Sequence, residues 1–291
     1  MKIKRDWIWG WTLIAPALAL IFLFTHIPAL MTLWGSLFST PRGRKPSHFV
    51  GLANYERLIQ DPTFWKVLGN NAIYALGTIP VSMALALAMA LLVNRPFKGR
   101  ALARMAYFTP TVLPLIAVAN IWLFFYTPGF GLIDQVLGLF GAGQSNFLGN
   151  AGTALPAIMV VAIWKEAGFF MIFYLAALQA IPPQLAEAAK IEGAGAWTIF
   201  RRITLPLLMP TTLFVSINAV INAFRLVDHI FILTGGGPDN ASSLLLYYIY
   251  ETSFRFWDTA YGATLSVVLL ALMCLLAIGQ FFLFDRKVHY K

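Results

Sequence analysis

Charge is scarce in this chain: 11% of its 291 residues are Asp, Glu, Lys or Arg, where a soluble domain carries about 25%. That shortage excludes an ordinary water-exposed surface, and with 59% hydrophobic residues it places the chain in a membrane. Cysteine is nearly absent. The single Cys274 lies in a long apolar run, so neither an internal disulfide nor a cysteine metal cluster can form. No Gly-Lys-Ser or Gly-Lys-Thr occurs, which removes the Walker-type phosphate loop and with it ATP hydrolysis by this chain alone; the metalloprotease pattern HExxH is missing too. His26, His48, His229 and His289 are scattered without ligand spacing, so no metal site and no cofactor is expected. Neither a sequence repeat nor a low-complexity linker divides the chain, and residues 1–291 read as one domain.

Acidic residues are the scarcer sign, 12 against 21 Lys and Arg, for a formal net charge of +9. Such an excess can serve nucleic acid, but in a membrane chain the placement of basic residues sets topology instead. Six apolar spans are expected at about 7–38, 67–93, 105–126, 154–177, 207–233 and 260–284. The first, broken by Pro16 and Pro28, is longer than the about 7 to 15 residues of a signal-peptide core, and reads as a retained span. Ser39 to Lys66 is polar, with an amphipathic stretch over Phe49 to Gln60 and Asp61-Pro62 as a helix start. Ala84, Ala86, Ala88 and Ala90 offer small residues for close helix contact in the second span. The third is long enough, about 33 Å, to cross the hydrocarbon core, with bends expected at Pro110 and Pro114. Six spans put both termini on one side. Thirteen of the 21 Lys and Arg fall in the segments then assigned inside, six in the outer loops and two, Lys165 and Arg225, within spans, so both termini are expected in the cytoplasm; Arg42, Arg44 and Lys45 run against the rule locally.

A polar island, IPPQLAEAAKIEGAGAWTIFRRITLP, occupies Ile181 to Pro206 between the fourth and fifth spans. Pro182 and Pro183 suit a helix start, Gln184 to Glu192 are good helix formers that stop at Gly193, and Ala196 to Ile203 can begin a second helix at a new angle. The expected product is a helical elbow outside the membrane. Small side chains at Ala186, Ala188 and Ala189 let a short helix seat closely on a partner, and Glu187 can add a charged hydrogen bond.

Glu187, Ala188, Ala189, Gly193, Ile203, Leu205 and Pro206 fit the pattern EAA, three residues, G, nine residues, I, one residue, LP. This elbow resembles the coupling loop of ABC importer permeases. FVGLANY, LQAIPPQLAEAAKIEGAGAW and TGGGPDN extend the likeness to the carbohydrate-uptake branch, the maltose and glycerol-3-phosphate type, and the closing KVHYK resembles the latter. The extra N-terminal spans and large periplasmic domain of the maltose subunit are missing, so the likeness is to the six-span form. The resemblance implies a bacterial inner-membrane subunit that pairs with a second permease, expected to be a different chain. It also implies two cytoplasmic ATP-binding subunits docked on the elbow, an extracytoplasmic substrate-binding protein on the other face, surrounding lipid and no nucleic acid. The cargo it implies is a sugar, a polyol or a sugar or glycerol phosphate.

Ionisable groups inside the spans are the remaining candidates, because a charge at mid-bilayer costs about 2.5 to 3.5 kcal/mol unless it faces a partner or a watery cavity. Lys165 and Glu166 lie in the fourth span between the aromatic rings of Trp164 and Phe169, a composition suited to a polyol or sugar ring. In the fifth, Asn218, Asn222, Arg225 and His229 follow helical spacing, with Asp228 three residues beyond Arg225. Trp164, Lys165, Glu166, Phe169, Asn218, Asn222, Arg225 and Asp228 are therefore the expected substrate path, while Arg225 and Asp228 equally suit a structural ion pair. An ion-coupled secondary transporter also uses proline-broken helices and midplane charges, but needs no partner groove on its elbow. An intramembrane enzyme would have only the adjacent Asp228 and His229, which diverge on a helix.

Overall fold

The computed structural model describes residues 2–41, 43–141, 143–225 and 227–285. Expectations placed on Arg42, His289 and the KVHYK tail lie outside the described residues, as do the side chains of Lys2, Lys4 and Arg5. In chain order the helices are α1 (Lys2–Ile21), α2 (Ile27–Gly35), α3 (Ala53–Gln60), α4 (Pro62–Asn94), α5 (Arg100–Val112), α6 (Leu115–Phe125), α7 (Leu132–Gly138) and α8 (Ala154–Ala180). They continue with α9 (Pro183–Ile191), α10 (Ala196–Ile199), α11 (Leu205–Leu207), α12 (Met209–Arg225), α13 (Asp228–Leu233), α14 (Leu245–Tyr250) and α15 (Thr259–Asp285). The extended pairing includes an antiparallel bridge, Phe38 to Phe49.

Among the described residues five stretches are long and apolar enough to cross a membrane: Trp9–Gly35, Pro62–Asn94, Ala154–Ala180, Met209–Leu233 and Thr259–Phe282. The protein is an all-α integral membrane protein. The third expected span differs most from expectation. Instead of one bent helix over 105–126, α5 and α6 meet at 101°, and only as a pair are they long enough to cross. The cause is local: Pro114 pushes Leu113 out of the helical region, to φ −72° and ψ 137°, and supplies no N–H for the Pro110 carbonyl. The fifth span is also discontinuous, ending α12 at Arg225 and restarting at Asp228. Arg225 therefore sits in a last helical turn and Asp228 in a first one, where each charge opposes the local helix dipole. Two widened turns precede prolines. Ile27 N–H donates to Phe22 O just before Pro28, and Leu205 N–H to Phe200 O just before Pro206.

The helices fall into two compact units. The first joins residues up to Asp61 to Ile249–Ala271. Here the expected helix from Phe49 begins only at Ala53, because Phe49 is held by Phe38. Asn54 Nδ2 donates to the carbonyls of Ser36 and Phe38, at 2.8 Å each, and the Tyr55 hydroxyl meets Ser36 Oγ at 2.8 Å. A polar clamp then ties this region to the start of α15. Asp258 accepts from Thr40 Oγ1 at 2.5 Å and from Arg57 Nη1 at 2.7 Å, the Arg57 guanidinium lies 4.0 Å from the centre of the Tyr261 ring, and the Tyr261 hydroxyl donates to Asp61 at 2.6 Å.

The second unit comprises Pro62–Tyr248 and Leu272–Lys291. Its spine is α4 packed along α8, with Asn71, Tyr74, Thr78, Ser82, Ala86 and Ala90 buried at three- and four-residue spacing on α4. Of the four alanines expected at this contact, Ala86 and Ala90 are on the buried stripe and Ala84 and Ala88 are exposed, since a 3.6-residue turn cannot bring alternate residues to one face. Phe170, Met171, Tyr174 and Leu178 of α8 close a core with Val215 and Ala219 of α12. Gly168 sets the approach of α5 to α8: a Cβ there would collide with the Tyr107 carbonyl.

Candidate functional site

The elbow is built from its capping chemistry. Helix α9 ends with Glu192 at φ −75° and ψ 2°, followed by Gly193 at φ +83°. Ala194 N–H donates to Ala189 O at 2.9 Å and Gly193 N–H to Lys190 O at 3.0 Å, the paired bonds of a Schellman turn. The spacing from the second alanine of EAA to the glycine is thus the spacing this turn requires. Gly195 then opens α10 in an extended conformation and the chain leaves at a new angle. Helix α10 is shorter than expected, because the turns from Phe200 to Thr204 widen ahead of Pro206. Glu187, Ala188 and Pro206 are exposed, and Ala189, Ile203 and Leu205 half-buried. Two large apolar side chains stand out from this surface, Ile191 at 89% and Trp197 at 70% exposure.

The polar residues of the spans separate into groups. Glu166, 8% exposed on α8, faces the Asn222 side chain of α12. Next to it, the buried Tyr74 of α4 meets His229 Nε2 at 3.0 Å, and Asn71 Oδ1 accepts from the Leu245 amide at 2.6 Å. His229 is 1% exposed and its Nδ1 has no hydrogen-bond partner. The structure thus brings Glu166 toward Asn222, while Tyr74 and Asn71 of α4 bond to His229 and to the backbone at Ala223 and Leu245. The sequence signal for those two is the polar stripe Asn71, Tyr74, Thr78 and Ser82 at three- and four-residue spacing.

Other expected site residues go elsewhere. Lys165 points its ammonium at backbone carbonyls of the α5–α6 break: Pro110 at 3.0 Å, Leu113 at 2.5 Å and Thr111 at 3.5 Å. Phe169 packs edge-on against Phe173, 5.1 Å between centroids, at the margin of the apolar core. Asn218 bonds back to its own helix at Phe214 O, 2.8 Å away. Trp164 is partly exposed and meets the Trp122 ring edge-on at 5.7 Å. Arg225 and Asp228 are both exposed, and among the described residues no ion pair joins them.

Residues 80–290 match the family described as binding-protein-dependent transport system inner membrane component. Among curated proteins, the chain is similar to the sulfoquinovosyl glycerol transport system permease SmoG of Agrobacterium fabrum, with 35% identity over 91% of this chain and 87% of that one. It is also similar to the sn-glycerol-3-phosphate transport system permease UgpA of Yersinia pestis, with 33% identity over 96% and 95%. Among solved structures, one chain of a bacterial alginate ABC transporter, in complex with an alginate pentasaccharide-bound periplasmic protein, superposes with a TM-score of 0.87. That likeness covers 99% of this chain and 97% of the other at 21% identity, and it is a likeness of fold.

Proposed function

The chain belongs to the inner-membrane components of binding-protein-dependent transport systems, and from that premise we propose that it is the permease subunit of an ABC importer for a sugar, a sugar–glycerol conjugate or a glycerol phosphate. Residues 1–291 act as one transport domain with six crossings, counting α5 and α6 as one, and with both termini and the elbow in the cytoplasm, as the Lys and Arg distribution favours. Its partners are a second, different permease, two ATP-binding subunits and an extracytoplasmic binding protein. The observation that carries the reading is the elbow, where the EAA-to-glycine spacing closes a Schellman turn and leaves Ile191 and Trp197 uncovered beside Glu187. A surface of that composition suits a groove on an ATPase subunit, with apolar anchors inside and a charged hydrogen bond at the rim.

The substrate path runs beside Glu166 and Asn222. A carboxylate and an amide side by side match the hydroxyls of a carbohydrate as acceptor and donor. Proteoliposomes decide between this reading and ion-coupled transport. Uptake of a labelled sugar or glycerol phosphate is expected only when the partner permease, the ATPase subunits, ATP and the binding protein are all present. Uptake by this chain alone on a proton or sodium gradient overturns it.

A further inference from the structure

The break between α5 and α6 creates a problem in a membrane. A helix end leaves its last carbonyls without intrahelical donors, and lipid supplies none. The Pro110 carbonyl would receive its hydrogen bond from residue 114, which is proline, and Leu113 has left the helical conformation. Lys165 answers both. Its ammonium has three protons to donate and stands within 3.5 Å of three backbone oxygens, those of Pro110, Thr111 and Leu113. One turn further along α8, Gly168 lets the α5 backbone come close enough for that reach, and Thr111 Oγ1 donates back to the Lys165 carbonyl at 3.4 Å.

We propose that the carbonyls of Pro110, Thr111 and Leu113 form a monovalent-cation cradle that Lys165 fills in cis, making Lys165 the positioning residue of the broken third span. A cation of ammonium size with inward-pointing carbonyl oxygens is the chemistry of the site, and tethering that cation to α8 fixes the angle between α5 and α6. Glu166, next in sequence, points elsewhere and is left to Asn222. The inference goes beyond the proposed function, since the cradle is needed whatever the cargo.

The test uses the complete transporter complex purified in lipid. Lys165→Ala is expected to lower its melting temperature by several degrees and its uptake by about tenfold or more, as loss of a charged donor to buried acceptors implies. Ammonium chloride should restore both in part, whereas tetramethylammonium chloride, which has no N–H and is too large for the cradle, should not. Lys165→Met, one atom shorter and uncharged but still filling the lysine's channel, should be defective and insensitive to ammonium. The proposal is overturned if Lys165→Ala melts like the wild type with only its KM raised, which would make Lys165 a substrate ligand. Equal responses to the two salts would overturn it as well. Should Lys165→Ala fail to assemble, the pair Lys165→Arg and Lys165→Met still decides: assembly by Arg and not by Met supports the cradle, and equal assembly of the two refutes it.

Discussion

The Tyr74 hydroxyl and His229 Nε2 lie 3.0 Å apart with both side chains buried, so the second span is tied to the far half of the broken fifth. A buried polar group deprived of its partner costs about 1–3 kcal/mol, more than the bond itself contributes. Tyr74→Phe and His229→Phe are therefore each expected to lower the melting temperature of the purified complex. Tyr74→Phe together with His229→Phe should cost less than the sum of the single changes. Additive losses in this double-mutant cycle would show that the two groups do not act as a pair.

Gly193 makes a different kind of prediction, because a Cβ built on it meets nothing within 4 Å and the constraint is the backbone alone, at φ +83°. A left-handed conformation costs an L-residue about 1–2 kcal/mol, with asparagine the best tolerated. Gly193→Val should insert normally yet uncouple ATP hydrolysis from uptake, while Gly193→Asn should retain most of both. Uptake and ATPase rates at matched membrane levels check this, and equal behaviour of the two variants would remove the turn from the coupling mechanism.

These residues also show what could be read from the chain. The elbow was legible because it is local: its helix formers, its glycine and its prolines act on their nearest neighbours, and the Schellman turn follows from them. The break after Val112 was half legible. Pro114 announces a bend, but a 101° angle depends on whether the freed carbonyls find a donor, and that donor is Lys165, more than fifty residues away. For the same reason the neighbours of Lys165 in sequence do not reveal its contact with that break. Between Arg225 and Asp228 no proline or glycine interrupts the pattern, so nothing in the sequence announces that α12 ends at Arg225 and α13 begins at Asp228. The partners of Tyr74 and Asn71 are not legible in the sequence, because a tyrosine or asparagine in an apolar run gains a polar partner only through packing with α13 and α14.

Asp258 carries a pH dependence. Burial pushes its carboxyl up, but the Thr40 hydroxyl, the Arg57 guanidinium and the Tyr261 amide together bring it below its ordinary 3.8. The folded state then binds the proton less readily than the unfolded one, so the stabilisation is fully present above 3.8 and is lost as the pH falls through the lower, folded value. The difference in melting temperature between the wild type and Asp258→Asn should be constant from neutral pH down to about 5 and shrink only in stronger acid. A difference that vanishes near neutrality would assign the clamp to some other group.

Glu166 and Asn222 carry the boldest expectation, that a carboxylate and an amide facing each other between α8 and α12 meet the cargo as it passes. Glu166→Gln preserves volume and a hydrogen-bonding partner for Asn222 while removing the charge. A carboxylate's bond to a hydroxyl is worth about 1.5–3 kcal/mol, and its loss in transit should lower uptake by roughly tenfold to a hundredfold. Assembly and melting temperature should hold, since a neutral amide is less costly to bury than a carboxylate. A structural role predicts the opposite pairing, a fall in melting temperature with uptake lost for every cargo alike. Uptake compared across a neutral sugar, a polyol and a glycerol phosphate separates the two. Glu166→Gln should weaken the hydroxyl-rich neutral cargoes and relieve the repulsion of the anionic one, because the carboxylate that accepts from hydroxyls also repels a phosphate. Unchanged discrimination among the three at full stability would take Glu166 out of the path.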